Sequence, residues 1–281
     1  MPHIICSRRR FIRIVPAFGA FVLPAVEVSA RGQAAAPPTP AWPASPGRGG
    51  PVDDFFPSHH PAVVKEMVLV SHVNLARVRE LVQQRPELAK ASWDWGFGDW
   101  ESALGAASHI GNRAIAELLI ERGAPPTHFS AAMLGQLDVL KAFLAATPGL
   151  QRMRGPHGLT LMLHARKGGP QAASVVEYLE SLGGADEPYR NEPLADADRS
   201  GIQGRYVFGE GARDSFVVSS GTDKQLSIAR AGAIERTLFH QGQLAFHAAG
   251  GPGTTIRFER DGERIAALTV HDPDFVVRAH R

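Results

Sequence analysis

The 281-residue sequence predicts an α+β chain of several domains, in which repeated helix–turn–helix units are followed by a small antiparallel β barrel or sandwich. Three observations predict it. After Asn74 come Val78, Leu81 and Val82; after Gly111 come Ile115, Leu118 and Leu119; after Gly135 come Val139, Ala142 and Phe143. Each time an apolar stripe at helical spacing follows a tight turn, so one structural unit is used repeatedly. From about Gly201 the period changes to short alternating runs separated by turn residues, which reads as strands. Ahead of both lies a basic and apolar leader and then a Pro-, Ala- and Gly-rich stretch, neither of which can build a core.

The helical units are justified in order. Ala106-Ala107-Ser108-His109-Ile110-Gly111, Ile115-Ala116-Glu117-Leu118-Leu119-Ile120 and Gly123-Ala124 form the clearest unit, and Leu159 to Gly168 with Val175, Val176, Tyr178 and Leu179 forms a fourth. These segments resemble ankyrin repeats, through the family's A-A-x-x-G, I-x-x-L-L and G-A run and its T-P-L-H-x-A opening. The resemblance implies an ankyrin-type helical solenoid of about four repeats over residues 59–186, a binding groove and no chemistry of its own. The turn markers Asn74, Gly111, Gly135 and Gly168 are 37, 24 and 33 residues apart, against about 33 for that family. The first junction therefore carries an enlarged finger and the second almost none. Pro86 and Pro148 close the second helices of the first and third units, because proline cannot continue the helical ladder.

The N-terminal segment is of another kind. Ser7-Arg8-Arg9-Arg10-Phe11-Ile12-Arg13 precedes an apolar run from Ile14 to Ala25, and Val28-Ser29-Ala30 is a small-residue cleavage pattern. This resembles a twin-arginine export signal over residues 1–30, which implies a periplasmic or secreted protein that leaves the cytoplasm already folded. The apolar run, broken by Pro16, Gly19 and Pro24, falls short of the about 20 residues of a membrane span, so no span is expected after cleavage. Removing the leader takes Lys+Arg from 30 to 26 and Asp+Glu from 28 to 27, a net charge of −1, which gives no support to nucleic-acid binding. Cys6, the only cysteine, leaves too, and with it any disulfide or thiolate ligand. Residues 31–58 then read as a spacer.

Residues 187–200 form a polar, acidic linker, and residues 201–281 read as about eight short strands: 205–208, 215–218, 225–228, 237–239, 244–246, 255–258, 265–270 and 275–277. Gly204-Arg205-Tyr206, Ile256-x-Phe258, Gly262 and Ala279-x-Arg281 resemble the small β domains appended to secreted hydrolases of the serine β-lactamase type, which implies an accessory or ligand-binding role.

Three of the four tryptophans lie in Trp93-Asp94-Trp95-Gly96-Phe97-Gly98-Asp99-Trp100-Glu101, inside the long first junction. Gly96 and Gly98 suit a hairpin tip. Trp93, Trp95, Phe97 and Trp100 then form either an aromatic finger for a partner or a packed support for the finger, with Phe97 the most exposed. His72, His109, Met133 and Arg166 take the same repeat position and are expected to line the groove as a ladder. Two histidines without a third carboxylate or His are a poor metal site, so no metal is expected. His59-His60 lies in a loop and is weaker still as a metal site, and His240, His247, His271 and His280 are expected at the solvated surface. Asp94, Asp99 and Glu101 read as hairpin hydrogen-bonding groups rather than an acid pair.

No H-E-x-x-H, G-x-S-x-G, phosphate loop or paired cysteine is present. The function expected is therefore a non-enzymatic, exported protein-binding module without a cofactor, whose partner is an unidentified periplasmic or envelope protein. The alternative is a small apolar ligand enclosed by the β domain among Tyr206, Phe216, Phe239, Phe246 and Phe258.

Overall fold

The computed structural model describes residues 52, 54–221, 223–273 and 275–281. The expected export signal over residues 1–30 and most of the expected 31–58 spacer lie outside them. Residues Asp54–Arg281 pack as one unit.

The helix pairs form where the spacing places them. They are α1 (Pro61–Val70) with α2 (Leu75–Gln84), α3 (Ala103–Ile110) with α4 (Arg113–Glu121), α5 (His128–Met133) with α6 (Leu137–Ala146), and α7 (Leu161–Lys167) with α8 (Ala173–Leu182). Their starts are capped by side chains that satisfy otherwise orphaned amides. Asn74 Oδ1 accepts from Arg77 N at 3.0 Å, Ser102 Oγ from Gly105 N at 2.9 Å, and Thr160 Oγ1 from Leu163 N at 3.1 Å. Gly111, at φ 85°, ends α3 in the left-handed conformation. A helical core gathers Leu140, Leu161, Val175 and Leu179, all fully buried.

These pairs do not amount to the ankyrin-type helical solenoid of about four repeats, and that expectation is corrected. The described residues hold nine α-helices of six to ten residues, the ninth being α9 (Asp196–Gly201), interrupted by four 3-10 turns, beside a closed barrel. Helices this short are marginal by themselves and depend on what packs against them. The segments between the pairs supply it. The first junction folds back as a hairpin of β1 (Ser92–Asp94) and β2 (Trp100–Ser102), and the 3-10 turn Pro156–Gly158 hydrogen-bonds to it. Of the side chains expected to line an open groove, Met133 is fully buried and His109 is 6% exposed, whereas His72 is half-buried and Arg166 stands exposed. No helix of the described residues is long and apolar enough to cross a membrane.

The C-terminal part is a barrel rather than a sandwich. Its strands are β3 (Gly204–Val207), β4 (Ser215–Ser220), β5 (Leu226–Arg230), β6 (Arg236–Gly242), β7 (Ala245–Ala248), β8 (Gly251–Asp261), β9 (Arg264–Asp272) and β10 (Phe275–His280), all antiparallel, with β10 closing on β3 through the His280–Val207 pair. Alternation along β6 turns Arg236, Leu238 and His240 inward and Thr237 and Phe239 outward. Tyr206, Phe246 and Phe258 pack edge to face, with centroids 5.7 and 5.4 Å apart, and with Phe216 they lie in the barrel core. Phe239 stacks outside on His247 instead of joining these rings. His240 and His247, expected at the surface, are instead 7% and 8% exposed. His240 Nδ1 lies 3.1 Å from the carbonyl oxygens of Glu192 and Pro193, so the acidic segment before the barrel is packed onto it.

Candidate metal centre

The hairpin positions the site. Its register pairs Ser92 with Ser102, Trp93 with Glu101 and Asp94 with Trp100. Gly96, Phe97 and Gly98 at the tip have φ of 101°, 58° and 80°, and Asp94 Oδ1 accepts from Gly96 N at 2.8 Å. Strand alternation then sends Asp99 and Glu101 to one face and Trp100 to the other. Asp99 and Glu101 are 0% and 1% exposed, while Trp100 is 63% exposed.

Glu101 is the hub. Its Oε1 lies 2.8 Å from His109 Nε2, 3.3 Å from His157 Nε2 and 3.6 Å from His72 Nε2. Its Oε2 accepts from Trp95 Nε1 at 2.8 Å, so the carboxylate offers a single oxygen to the centre. One ligand atom from each of His72, Glu101, His109 and His157 lies within 4.8 Å of all the others. A tetrahedral ion with bonds of about 2.0–2.1 Å needs ligand atoms about 3.3 Å apart, and the three distances from Glu101 bracket that value.

The outer shell has the chemistry that metal-bound imidazoles require. His72 Nδ1 faces the carbonyls of Leu69 and Val68 at 2.9 and 3.2 Å. His157 Nδ1 lies 2.7 Å from Asp99 Oδ2, and its backbone N–H donates to Asp99 Oδ1 at 2.7 Å. Both rings therefore carry their hydrogen on Nδ1 when neutral, and turn the Nε2 lone pair toward the cluster. Without a cation, lone pairs would face a carboxylate oxygen; a cation between them, or a second proton on the rings, resolves the conflict. Asp99 is held from the far side by Arg236 of β6, whose Nε lies 3.2 Å away without hydrogen-bond alignment. Gly250 and Gly251 let the finger approach the barrel this closely, since a Cβ at either would overlap the Asp99 carboxylate or the Phe97 carbonyl.

The electrostatics follow the geometry. Burial acts to raise the Glu101 pKa, but hydrogen bonds from His109 and His157 outweigh it and hold the carboxyl at about 2. Burial likewise acts to lower the His157 pKa, and bonding to Asp99 and Glu101 lifts it to about 9. His164 and His128 are pushed down to about 4 by burial and stay neutral.

Of the eight residues singled out in the sequence, His72 and His109 converge here and Trp95 orients the hub. Trp93 is half-buried, and Phe97 packs toward Phe216 with centroids 6.0 Å apart, leaving Trp100 the most exposed ring of the finger. Met133 belongs to the core, and Arg166 pairs with Asp186 at 2.7 Å. The residue not singled out is His157, and Glu101 was read only as a hairpin group. The alternation of Asp99 and Glu101 around Trp100 is a signal for the latter; nothing in the local sequence marks His157. Comparison with protein-family models, with curated proteins and with solved structures finds no match to this chain.

Proposed function

We propose that this protein binds a divalent first-row transition metal, with zinc the best fit, through His72, His109, His157 and Glu101. The observation that carries the reading is the convergence of three imidazole Nε2 atoms on one carboxylate oxygen, with outer partners that set the tautomers of His72 and His157. Three His and one carboxylate complete a tetrahedral shell, as closed structural sites do, and the reading assigns no catalytic step. The metal's work is to lock the finger onto the helices and, through Asp99 and Arg236, onto the barrel. We also propose export by the twin-arginine route, which would carry the folded, loaded protein.

The test is titration of chelator-treated protein with Zn2+ by calorimetry and with Co2+ by visible absorption. One equivalent of Zn2+ and a tetrahedral Co2+ spectrum are expected, and His109→Ala and Glu101→Gln should each weaken binding by about 100-fold or more. Sub-stoichiometric binding, or variants that bind as the parent does, would overturn the reading.

A second reading, docking of an envelope protein, is favoured by the outward face of the finger, where Trp100 is 63% exposed. It moves recognition from the groove to this face. Trp100→Ala should then abolish capture of any partner retained from a periplasmic extract, while His109→Ala, in the enclosed cluster, should act only through the metal.

A further inference from the structure

Beside the hairpin lies a cavity of about 430 Å3, within the ~300–1,000 Å3 range of small-molecule sites. Its walls are of two kinds. Trp93 and Trp95 from the finger and Ile234 from the loop between β5 and β6 supply apolar faces, and Lys65 of α1 with Arg213 and Arg230 of the barrel supplies cations.

The cations are incompletely neutralised. Among the described residues Lys65 has no carboxylate partner, and its Nζ sits 5.7 and 5.9 Å from the ring centroids of Trp93 and Trp95. Among the described residues the Arg213 side chain makes one long hydrogen bond, Nε to Ala231 O at 3.4 Å. Arg230 is paired with Asp214 at 2.9 Å. The acid in the lining, Asp94, already accepts from the Gly96 amide at 2.8 Å. Positive charge and indole surface therefore face one space.

We infer that this cavity binds a small organic anion whose carboxylate is carried on a flat ring. Each part of the lining selects one part of that ligand. A ring can stack on indole and the aliphatic Ile234, while the carboxylate meets Lys65 and Arg213. Inorganic phosphate would use the cations and leave the indole faces bare; a neutral ring would cover those faces and leave the cations unpaired. The metal's ligands are not in the cavity wall, although Trp95 of that wall also donates to Glu101.

Calorimetric titration of the full chain with phenylacetate tests it, alongside phenylacetamide, acetate and inorganic phosphate. Saturable 1:1 binding of phenylacetate is expected, with the other three about tenfold weaker or more. Lys65→Ala and Arg213→Ala, both at exposed positions, should each weaken phenylacetate by about fivefold and leave the melting temperature unchanged. The inference is overturned by absence of saturable binding, by phenylacetamide or phosphate binding as tightly, or by unaltered affinity in both variants. A His72→Ala, His109→Ala double variant separates the two proposals: it should lose Zn2+ and keep phenylacetate. Loss of phenylacetate binding in the Zn2+-loaded parent would reject this inference alone.

Discussion

Glu101 is a carboxylate with no exposure to water that meets three imidazoles and an indole N–H, and its protonation state governs what the cluster can hold. Its pKa of about 2, against an ordinary 4.5, keeps it charged at every working pH. His157 behaves oppositely. Its pKa is raised from 6.5 to about 9, so in metal-free protein its stabilising contribution is fully present below about pH 6.5 and is lost as pH rises through about 9. A metal must displace that proton. The apparent affinity for Zn2+ should therefore rise about tenfold per pH unit up to about 9 and then level off. In His157→Ala the remaining affinity should lose that slope between pH 7 and 9, measured by competition with a chelator of known pH dependence. An unchanged slope would take His157 out of the coordination shell.

The hairpin is the element on which the arrangement turns, because it presents acids to one face and Trp100 to the other. It reaches the barrel through Asp99, which meets Arg236 and Gly250, and through Phe97, which meets Gly251 and Phe216. Arg236 is 7% exposed, so removing its charge leaves the buried Asp99 with His157 as its remaining charge partner. Arg236→Leu should cost about 3 kcal/mol in chemical denaturation, within the range for breaking a buried pair. Gly250→Ala should cost of order 2 kcal/mol, from a side chain forced to φ 82° and into the Asp99 carboxylate. Both should also weaken Zn2+, because Asp99 orients His157. Stability loss with unchanged metal affinity would show that Asp99 orients nothing.

At the scale of the whole molecule, short helices and a closed barrel form one unit, with the buried polar cluster close to where they meet. A ligand bound only by the native state stabilises it by mass action, about 2.7 kcal/mol at a hundredfold excess over Kd. For a chain of this size that corresponds to roughly 5–10 °C in Tm. Chelation should lower the melting temperature by that amount, with helical and barrel signals moving together. A helical signal that shifts alone would mean that the centre does not couple the two parts.

Much of the local structure was legible before any coordinates. The i, i+3, i+4 stripes after Asn74 and Gly111 place α2 and α4 with their buried faces, and the change of period near Gly201 places eight strands, because 3.6- and 2-residue periods are set by neighbours along the chain. The stripe after Gly135 locates α6 but not its buried face, which is Leu140 and Leu144 while Val139 and Ala142 are exposed. Gly96 and Gly98 mark the hairpin tip for the same local reason. The wider arrangement was not legible. The helix pairs read as an ankyrin-type solenoid, yet what packs on them depends on where the first junction and the 156–158 turn fold back, which no period encodes. His72 and His109 were visible as a repeated position, but the third and fourth donors, Glu101 and His157, stand 56 residues apart in sequence and meet only in space. The sequence by itself determined the helices, the strands and the finger. The tertiary structure decided that the finger turns its acids inward onto three histidines, because burying Asp99 and Glu101 requires, beside the nearby Trp95 and His109, the distant His72, His157 and Arg236.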